Sequence, residues 1–405
     1  MSVLIVRRFG AVSVAIAVIA SLAGCGGSSS GSSGAAAGGS SGGSVGGLSG
    51  ASAGDPHTAN VTVTAAAGCT SDRTSFTAGP LTFKITNKDA TAVSEIELLG
   101  GERIVGEKEN LPPGFSGTFT VTVAAGAYSL YCPGAATEKT PLTVTGSSAA
   151  PTGAGSGALL AEGAKQYAGY VNTQMGYLVT TSRTLAAALK GSDLAAAQQA
   201  YQKARPYYER IEPVAESFTT GKDDLDAAID AREGDVPASS WTGFHRIEKG
   251  LFKTRSVKGL SSYGAGLVSN VQKLQKLTES LSYRPYELAN GAQELLDEVS
   301  SSKITGEEER YSHIDLLDFQ GNAEGAQQAF ADLQPGLTQI DPALATTIST
   351  NFATLNTLLD KYRTSAGASG FVAYGRLSGA DKRALAAAVK AVQEPLSRVA
   401  SKVAQ

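Results

Sequence analysis

The chain has 405 residues, 34 Lys+Arg against 37 Asp+Glu, a formal net charge of -3 at pH 7 and 42% hydrophobic residues. That length allows two domains with sizeable cores, and a near-balanced charge without a basic run interleaved with aromatics gives no footing for a nucleic-acid partner. Three Cys and three His leave room for few soft metal sites.

Residues 1–25 open the order of elements. Arg7-Arg8 precedes an apolar stretch, residues 9–20, that is too short for a comfortable membrane span. It ends in Leu22-Ala23-Gly24-Cys25, which looks like a bacterial lipoprotein signal, a small residue followed by a cysteine that is lipidated at cleavage. Cys25 is therefore the expected lipidation site. Residues 26–56 are almost entirely Gly, Ser and Ala. Such a segment cannot bury enough apolar surface to offset the entropy of ordering, and it is expected to act as a flexible tether, with 26–54 spanning about 30 Å on average.

From 57 to 146 the period is two. Val61-Thr-Val-Thr, Leu81-Thr-Phe-Lys-Ile-Thr, Thr118-Phe-Thr-Val-Thr-Val, Ala127-Tyr-Ser-Leu-Tyr-Cys and Pro141-Leu-Thr-Val-Thr alternate. Turn residues separate them at Ala78-Gly-Pro, Asn87-Lys-Asp, Pro112-Pro-Gly and Ala125-Gly. This predicts a small antiparallel β-sandwich. Cys69 and Cys132 remain in it, and two readings stand open. In an oxidising compartment the pair forms a disulfide. Alternatively, with Glu95, Glu97, Glu107 and Glu109 nearby in sequence, Cys69, Cys132, Glu95 and Glu107 form a second metal site. With no Met and His57 its only His, the region cannot supply the two His, Cys and axial Met of a blue-copper centre.

A Gly/Ser/Ala linker, 147–157, leads into 158–405, where apolar residues recur at three- and four-residue spacings. Clear stretches are 185–189, 194–208, 268–281, 288–299, 348–362 and 385–403, with breaks expected at Gly191-Ser-Asp, Arg284-Pro, Pro335-Gly and Asp341-Pro. The pattern predicts a helical bundle. Within it, Glu209, Glu212 and Glu216 fall at i, i+3, i+7, and Asp223, Asp226 and Asp230 repeat the spacing. His245 and Glu248 lie one turn apart, so an imidazole and a carboxylate can close on one ion while carboxylates of a neighbouring helix complete the shell. Oxygen ligands with one imidazole suit iron, zinc or manganese. The same spacings occur on ordinary solvated helix faces, and spacing by itself leaves both readings open.

Four blocks make the reading specific. Gly243-Phe-His-Arg-Ile-Glu-Lys-Gly-Leu-Phe resembles the signature of the imelysin (M75 peptidase-like) family. Tyr208-Glu-Arg-Ile-Glu-Pro, Ile229-Asp-Ala-Arg-Glu and Glu307-Glu-Glu-Arg-Tyr-Ser-His-Ile-Asp-Leu-Leu-Asp-Phe-Gln resemble blocks of its EfeO-type branch, in order along residues 159–405. The resemblance implies His245 and Glu248 as motif ligands, Glu209 and Glu212 facing them, Asp226 and Glu308 as further ligands, and a structural His313; Trp241 and Phe244 read as packing residues. It also implies that the sandwich, with Leu111-Pro-Pro-Gly-Phe-Ser, is cupredoxin-like. The function implied is capture of ferrous or ferric iron outside the membrane, with zinc or copper as other candidates. A membrane iron permease and a haem-dependent peroxidase would be the system partners. A metal-dependent peptidase is the alternative, but the two-imidazole His-Glu-x-x-His helix of zinc peptidases is absent. A glycan-binding surface lipoprotein is a further alternative.

Overall fold

The structure, a computed structural model, describes residues 55–404 apart from 94, 102, 109–110, 147–154, 218, 221–222 and 366–368. Cys25, the expected signal peptide, nearly all of the tether, most of the linker and Glu109 lie outside the described residues.

The alternating segments fold into two facing sheets. The first holds β1 (Thr58–Thr64), β2 (Gly68–Ser71), β4 (Gly79–Asn87) and β7 (Ser116–Val123) in the order β2-β1-β4-β7. The second holds β3 (Ser75–Thr77), β5 (Ile96–Gly100), β6 (Arg103–Lys108), β8 (Gly126–Tyr131) and β9 (Lys139–Thr145) in the order β3-β9-β8-β5-β6. Alternate residues of each strand share a face, which buries Val61, Val63, Leu81, Phe83, Ile85, Leu130 and Leu142 between the sheets. The expected all-antiparallel pairing is corrected to a mixed one: β1 pairs with β4, and β3 with β9, in parallel. Short β2 and β3 return the chain across the sandwich so that β4 enters beside β1 in the same direction. β5 escaped the period-two pattern because four consecutive residues, 96–99, are buried on both faces.

Cys69 on β2 and Cys132 just after β8 are joined by a disulfide that ties one sheet to the other across 63 residues of chain, with Cα atoms 6.2 Å apart. On the chain-entropy account, closing a loop of that length contributes about 4 kcal/mol. Buried Asn87 ends β4 and donates from Nδ2 to the carbonyls of Ala90, Val93 and Leu111, fixing the turns at that end.

The helical part consists of α1 (Ser156–Ala188), α2 (Leu194–Glu209), α3 (Glu212–Glu216), α4 (Leu225–Asp230), α5 (Gly243–Glu248), α6 (Ser261–Thr278), α7 (Pro285–Ser301), α8 (Asp315–Ile340), α9 (Pro342–Asp360), α10 (Gly379–Leu396) and α11 (Val399–Val403). Polar residues start several of them. Asp193 accepts from the Ala196 N–H, Asp224 from Ala227 and Asp341 from Leu344, each satisfying an orphan first-turn donor. The expected break at Pro335-Gly336 does not occur, since both lie inside α8. Pro forfeits one ladder hydrogen bond, and full burial of Leu333 and Leu337 outweighs that loss.

The sandwich rests on α7. Asn290 brackets Thr122, accepting from its N–H at 3.2 Å and donating to its carbonyl at 2.8 Å. The Glu107 N–H donates to Glu294 at 3.0 Å, and Ile104 N–H to the Ser217 carbonyl. Desolvation beneath the sheet, with Asp297 nearby, pushes the Glu294 carboxyl up to about 8 against the opposing Glu107 N–H; Asp297 itself faces Lys108 at 3.8 Å. The folded protein thus keeps a proton on Glu294 that the unfolded chain has already released, from about pH 4.5 to about pH 8. Stability is expected to fall as pH rises through that window. Thermal unfolding across it should show a shallower fall for Glu294→Gln, which keeps the acceptor oxygen without the titration.

Candidate metal centre

Residues four apart on α2 share a face, so Arg205 and Glu209 meet in the middle of the bundle, both fully buried. Close approach of α8 makes this possible: a Cβ on Gly321 would lie 2.6 Å from the Glu209 Cβ. α8 thereby brings in Asp318 and Asn322. α4 adds Asp230, α5 adds His245 and Glu248, and the turn after α7 adds Lys303. The segment before α8 adds Glu308 and Glu309. Gly243 opens α5 at φ +80, where a Cβ would sit 2.1 Å from the Ile229 carbonyl oxygen, so only glycine lets α5 seat His245 against α4. α5 then widens into a π-helical turn, Lys249–Lys253.

Acidic groups outnumber basic ones here. Glu209, Glu212, Asp230, Glu248, Glu308, Glu309, Asp315 and Asp318 are all buried, facing two fully buried cations, Arg205 and Lys303, and one imidazole. Arg205 pairs with Glu209 and Asp230 and lies 3.1–3.3 Å from Glu309, Glu308 and Asp318. Lys303 Nζ sits 2.6 Å from Glu212 and 3.2 Å from Glu209. Arg232, near the edge, donates to Glu308 at 3.0 Å. Asn322 Nδ2 donates to Glu209 and Glu212, and Tyr201 to Glu309 at 2.8 Å.

Desolvation governs the titration. Burial and neighbouring Glu209 push the Glu212 carboxyl well above its ordinary range, and burial with Glu248 does the same for Glu309. Burial also raises Asp318 well above that range in spite of Arg205, and lifts Asp315 to about 6. Burial opposes charge on Glu308 and Asp230 too. There Lys303 and Arg232, and Arg205 and His245, win and hold the two carboxyls low. Burial disfavours the His245 cation, but Asp230, Glu248 and Glu308 outweigh it and raise the imidazole well above its usual value.

His245 is the polar centre of this arrangement. Nε2 lies 3.4 Å from Glu308 and 3.6 Å from Asp230, and Nδ1 lies 3.7 Å from Glu248. Neither ring nitrogen closes a hydrogen bond among the described residues. One ligand atom each from Asp230, His245 and Glu308 lies within 4.8 Å of the others, as does a second set from Glu209, Glu212, Asp230 and Glu308. Lys303 already places its ammonium between Glu209 and Glu212, so the imidazole set is the one that holds a ligand group, His245, without a hydrogen-bond partner among the described residues. An acidic cavity of about 260 Å³ reaches this set, lined by Glu95, Glu212, Asp224, Asp226, Glu298 and Glu308 among others.

The structure brings together His245, Glu248, Glu209, Glu212 and Glu308 as neighbours. Asp226 stays on the cavity wall, where it accepts from the Tyr208 hydroxyl. Asp230, one turn further along α4, takes the inner place. Glu248 accepts at 2.7 Å from the N–H groups of both Tyr311 and Ser312, so one of its oxygens is spent on orienting the segment after Glu309. His313 lies in the left-handed region at φ +57, its N–H bonded to the Glu309 carbonyl, away from the ligand set. Trp241 donates to the Ala231 carbonyl and Phe244 packs edge-on to Tyr201. Sequence spacing missed Arg205 and Lys303, whose partners lie up to 113 residues away. The Arg205/Glu209 spacing was a visible signal for the first; Lys303 had none.

Cys69, Cys132, Glu95 and Glu107 do not come together as a second metal site. The disulfide leaves neither sulfur as a thiolate, the form that binds metal. Glu95 turns to the acidic cavity of the bundle, and Glu107 lines a separate hollow with Glu294 and Asp297.

Residues 163–399 match the Peptidase M75 family, described as imelysin. The protein named "Iron uptake system component EfeO" from Escherichia coli (strain K12) is 39% identical over 353 residues, 86% of this chain and 92% of that protein. Its namesake from Shigella flexneri matches to the same extent. The one from Escherichia coli O1:K1 / APEC is 40% identical over 328 residues, 80% of this chain and 85% of its own length.

Proposed function

This chain belongs to the imelysin (M75) family, and from that premise we propose that it is an extracytoplasmic protein that captures iron and delivers it to a membrane permease. The observation that carries the reading is His245: an imidazole without a hydrogen-bond partner, set between Asp230 and Glu308 in a buried cluster with more carboxylates than cations. Oxygen donors with one imidazole suit iron. Asp230, His245 and Glu308 would hold the ion, with Glu209 and Glu212 beside it and Glu248 orienting the imidazole. Asp226 and Glu95 would line the approach. Entry of a cation would expel the His245 proton and take its place beside the low-lying Asp230 and Glu308 carboxylates.

The relatives named as iron uptake system components support an iron-uptake role. Lipidation at Cys25, the tether, and a cupredoxin-like sandwich as an accessory domain belong to the same proposal, as do a permease and a haem-dependent peroxidase as partners. No helix among the described residues is long and apolar enough to cross a membrane.

Titration of metal-free protein from Asp55 onward with ferrous and ferric iron, zinc and copper, with bound ions counted by elemental analysis, tests the reading. Tight binding of iron at one ion per chain is expected. Failure to bind iron under either oxidation state would sink it, and hydrolysis of peptides or retention of anionic glycans would then point to the peptidase or the glycan-binding alternative.

A further inference from the structure

A second cavity, of about 280 Å³, lies where the sandwich meets the bundle and is unlike the first in chemistry. Its walls carry the rings of Tyr128, Tyr167, Tyr283 and Tyr286 and the aliphatic side chains of Ile104 and Val214. The rings are braced against one another: Tyr167 and Tyr283 meet edge-on with centroids 5.5 Å apart. Pockets for small organic ligands have this make-up, an apolar body with a few convergent polar groups.

The unpartnered polar atoms of the wall are both donors. Arg103 has no carboxylate within ion-pair distance among the described residues, and its Nε is buried without a hydrogen-bond partner. The Tyr283 hydroxyl is likewise buried and unpartnered. Two other hydroxyls are in use, that of Tyr128 donating to the Ala124 carbonyl and that of Tyr286 accepting from Arg284. Of the two acids in the wall, Glu287 is engaged by the Arg284 N–H at the start of α7, and Glu294 is held protonated near neutral pH. The N-terminal turn of α7, the positive end of a 17-residue helix, completes the wall. A buried donor left without an acceptor destabilises the fold, and here two such donors border one cavity.

We propose that this cavity binds a small ring-bearing carboxylate, its ring among the tyrosines and its carboxylate accepting from Arg103 and Tyr283. The site is separate from the His245 cluster and does not depend on the iron reading.

Titration calorimetry of the metal-free protein with benzoate, phenylacetate and 4-hydroxybenzoate, against benzyl alcohol as a neutral partner of similar shape, is the test. At least one acid should bind saturably and at least about 10-fold more tightly than the alcohol, the difference expected for a charge-assisted hydrogen bond. Arg103→Gln should lower that affinity about 10-fold or more, and Tyr283→Phe by a smaller factor, with iron binding unchanged in both. Tyr283→Phe keeps the ring contacts, so it serves should Arg103→Gln disturb the fold. The proposal is overturned if none of the three acids saturates by millimolar concentrations. Binding that is indifferent to both substitutions, or equal for acid and alcohol, overturns it as well.

Discussion

His245→Ala is expected to weaken ferrous iron binding by at least about 100-fold, beyond the 10–100-fold range found for residues that only support a ligand. The imidazole is the one nitrogen donor among the groups that converge on Asp230 and Glu308, and no nearby side chain can replace it. Simple electrostatics predicts the opposite sign. His245 is held cationic in the metal-free protein, so removing it makes the cluster more negative and would by itself attract a cation. A loss of affinity therefore reports lost coordination. Two acids on α4 sharpen the measurement. Asp230→Asn is expected to match His245→Ala, because Asp230 lies 3.6 Å from the imidazole. Asp226→Asn should cost less than about 10-fold, the effect of a residue on the approach. Competition titration against a calibrated iron chelator separates these outcomes, and equal losses at 226 and 230 would relocate the ion toward the cavity.

Arg205→Met is expected to destabilise the metal-free protein by about 3–5 kcal/mol, the usual result of breaking a buried ion pair from one side, and to lower Tm by roughly 10 °C. Methionine retains much of the apolar stem but withdraws the charge that faces Glu209, Asp230, Glu308, Glu309 and Asp318. The sign of the pH dependence follows from the surviving acids. Glu309 and Asp318 already sit well above the ordinary carboxyl range through burial. In the folded state they take up protons at a higher pH than in the unfolded chain, and their protonation stabilises the fold as pH drops. The gap between variant and wild type should therefore narrow on acidification from neutral pH. Excess ferrous iron should also restore part of the loss, since an ion bound only by the folded state adds to its stability. Thermal unfolding with iron and with a chelator gives both readings; a deficit that neither acid nor iron reduces would mean that Arg205 acts by packing alone.

Much of the site was legible as chemistry before it was legible as a place. The spacing of His245 to Glu248 follows from helical geometry, since both lie in α5, whereas Glu209 ends α2 and Glu212 opens α3, so the turn between the two helices sets that pair side by side. Asp226 and Asp230 lie on one face of the same short helix, and nothing local says which turns inward. That is decided by the seating of α4 against α2 and α5, where Tyr208 takes Asp226 and Arg205 takes Asp230. Similarly, Glu95 alternates correctly for a strand, but its direction depends on which side of the sandwich rests on α7.

Residue spacing alone carried the switch from period two to period 3.6, the breaks at Gly191-Ser-Asp and Asp341-Pro, and the presence of an imidazole and a carboxylate one turn apart. These are consequences of local backbone geometry, which neighbours within a few residues specify. Long-range packing was needed to bring Cys69 to Cys132, to lay the sandwich over Glu294, and to set Arg205 and Lys303 among a larger number of acidic groups. Each of those contacts joins residues far apart in the chain, where the partner is chosen by how whole elements pack and by which buried charges can be matched once water has been excluded.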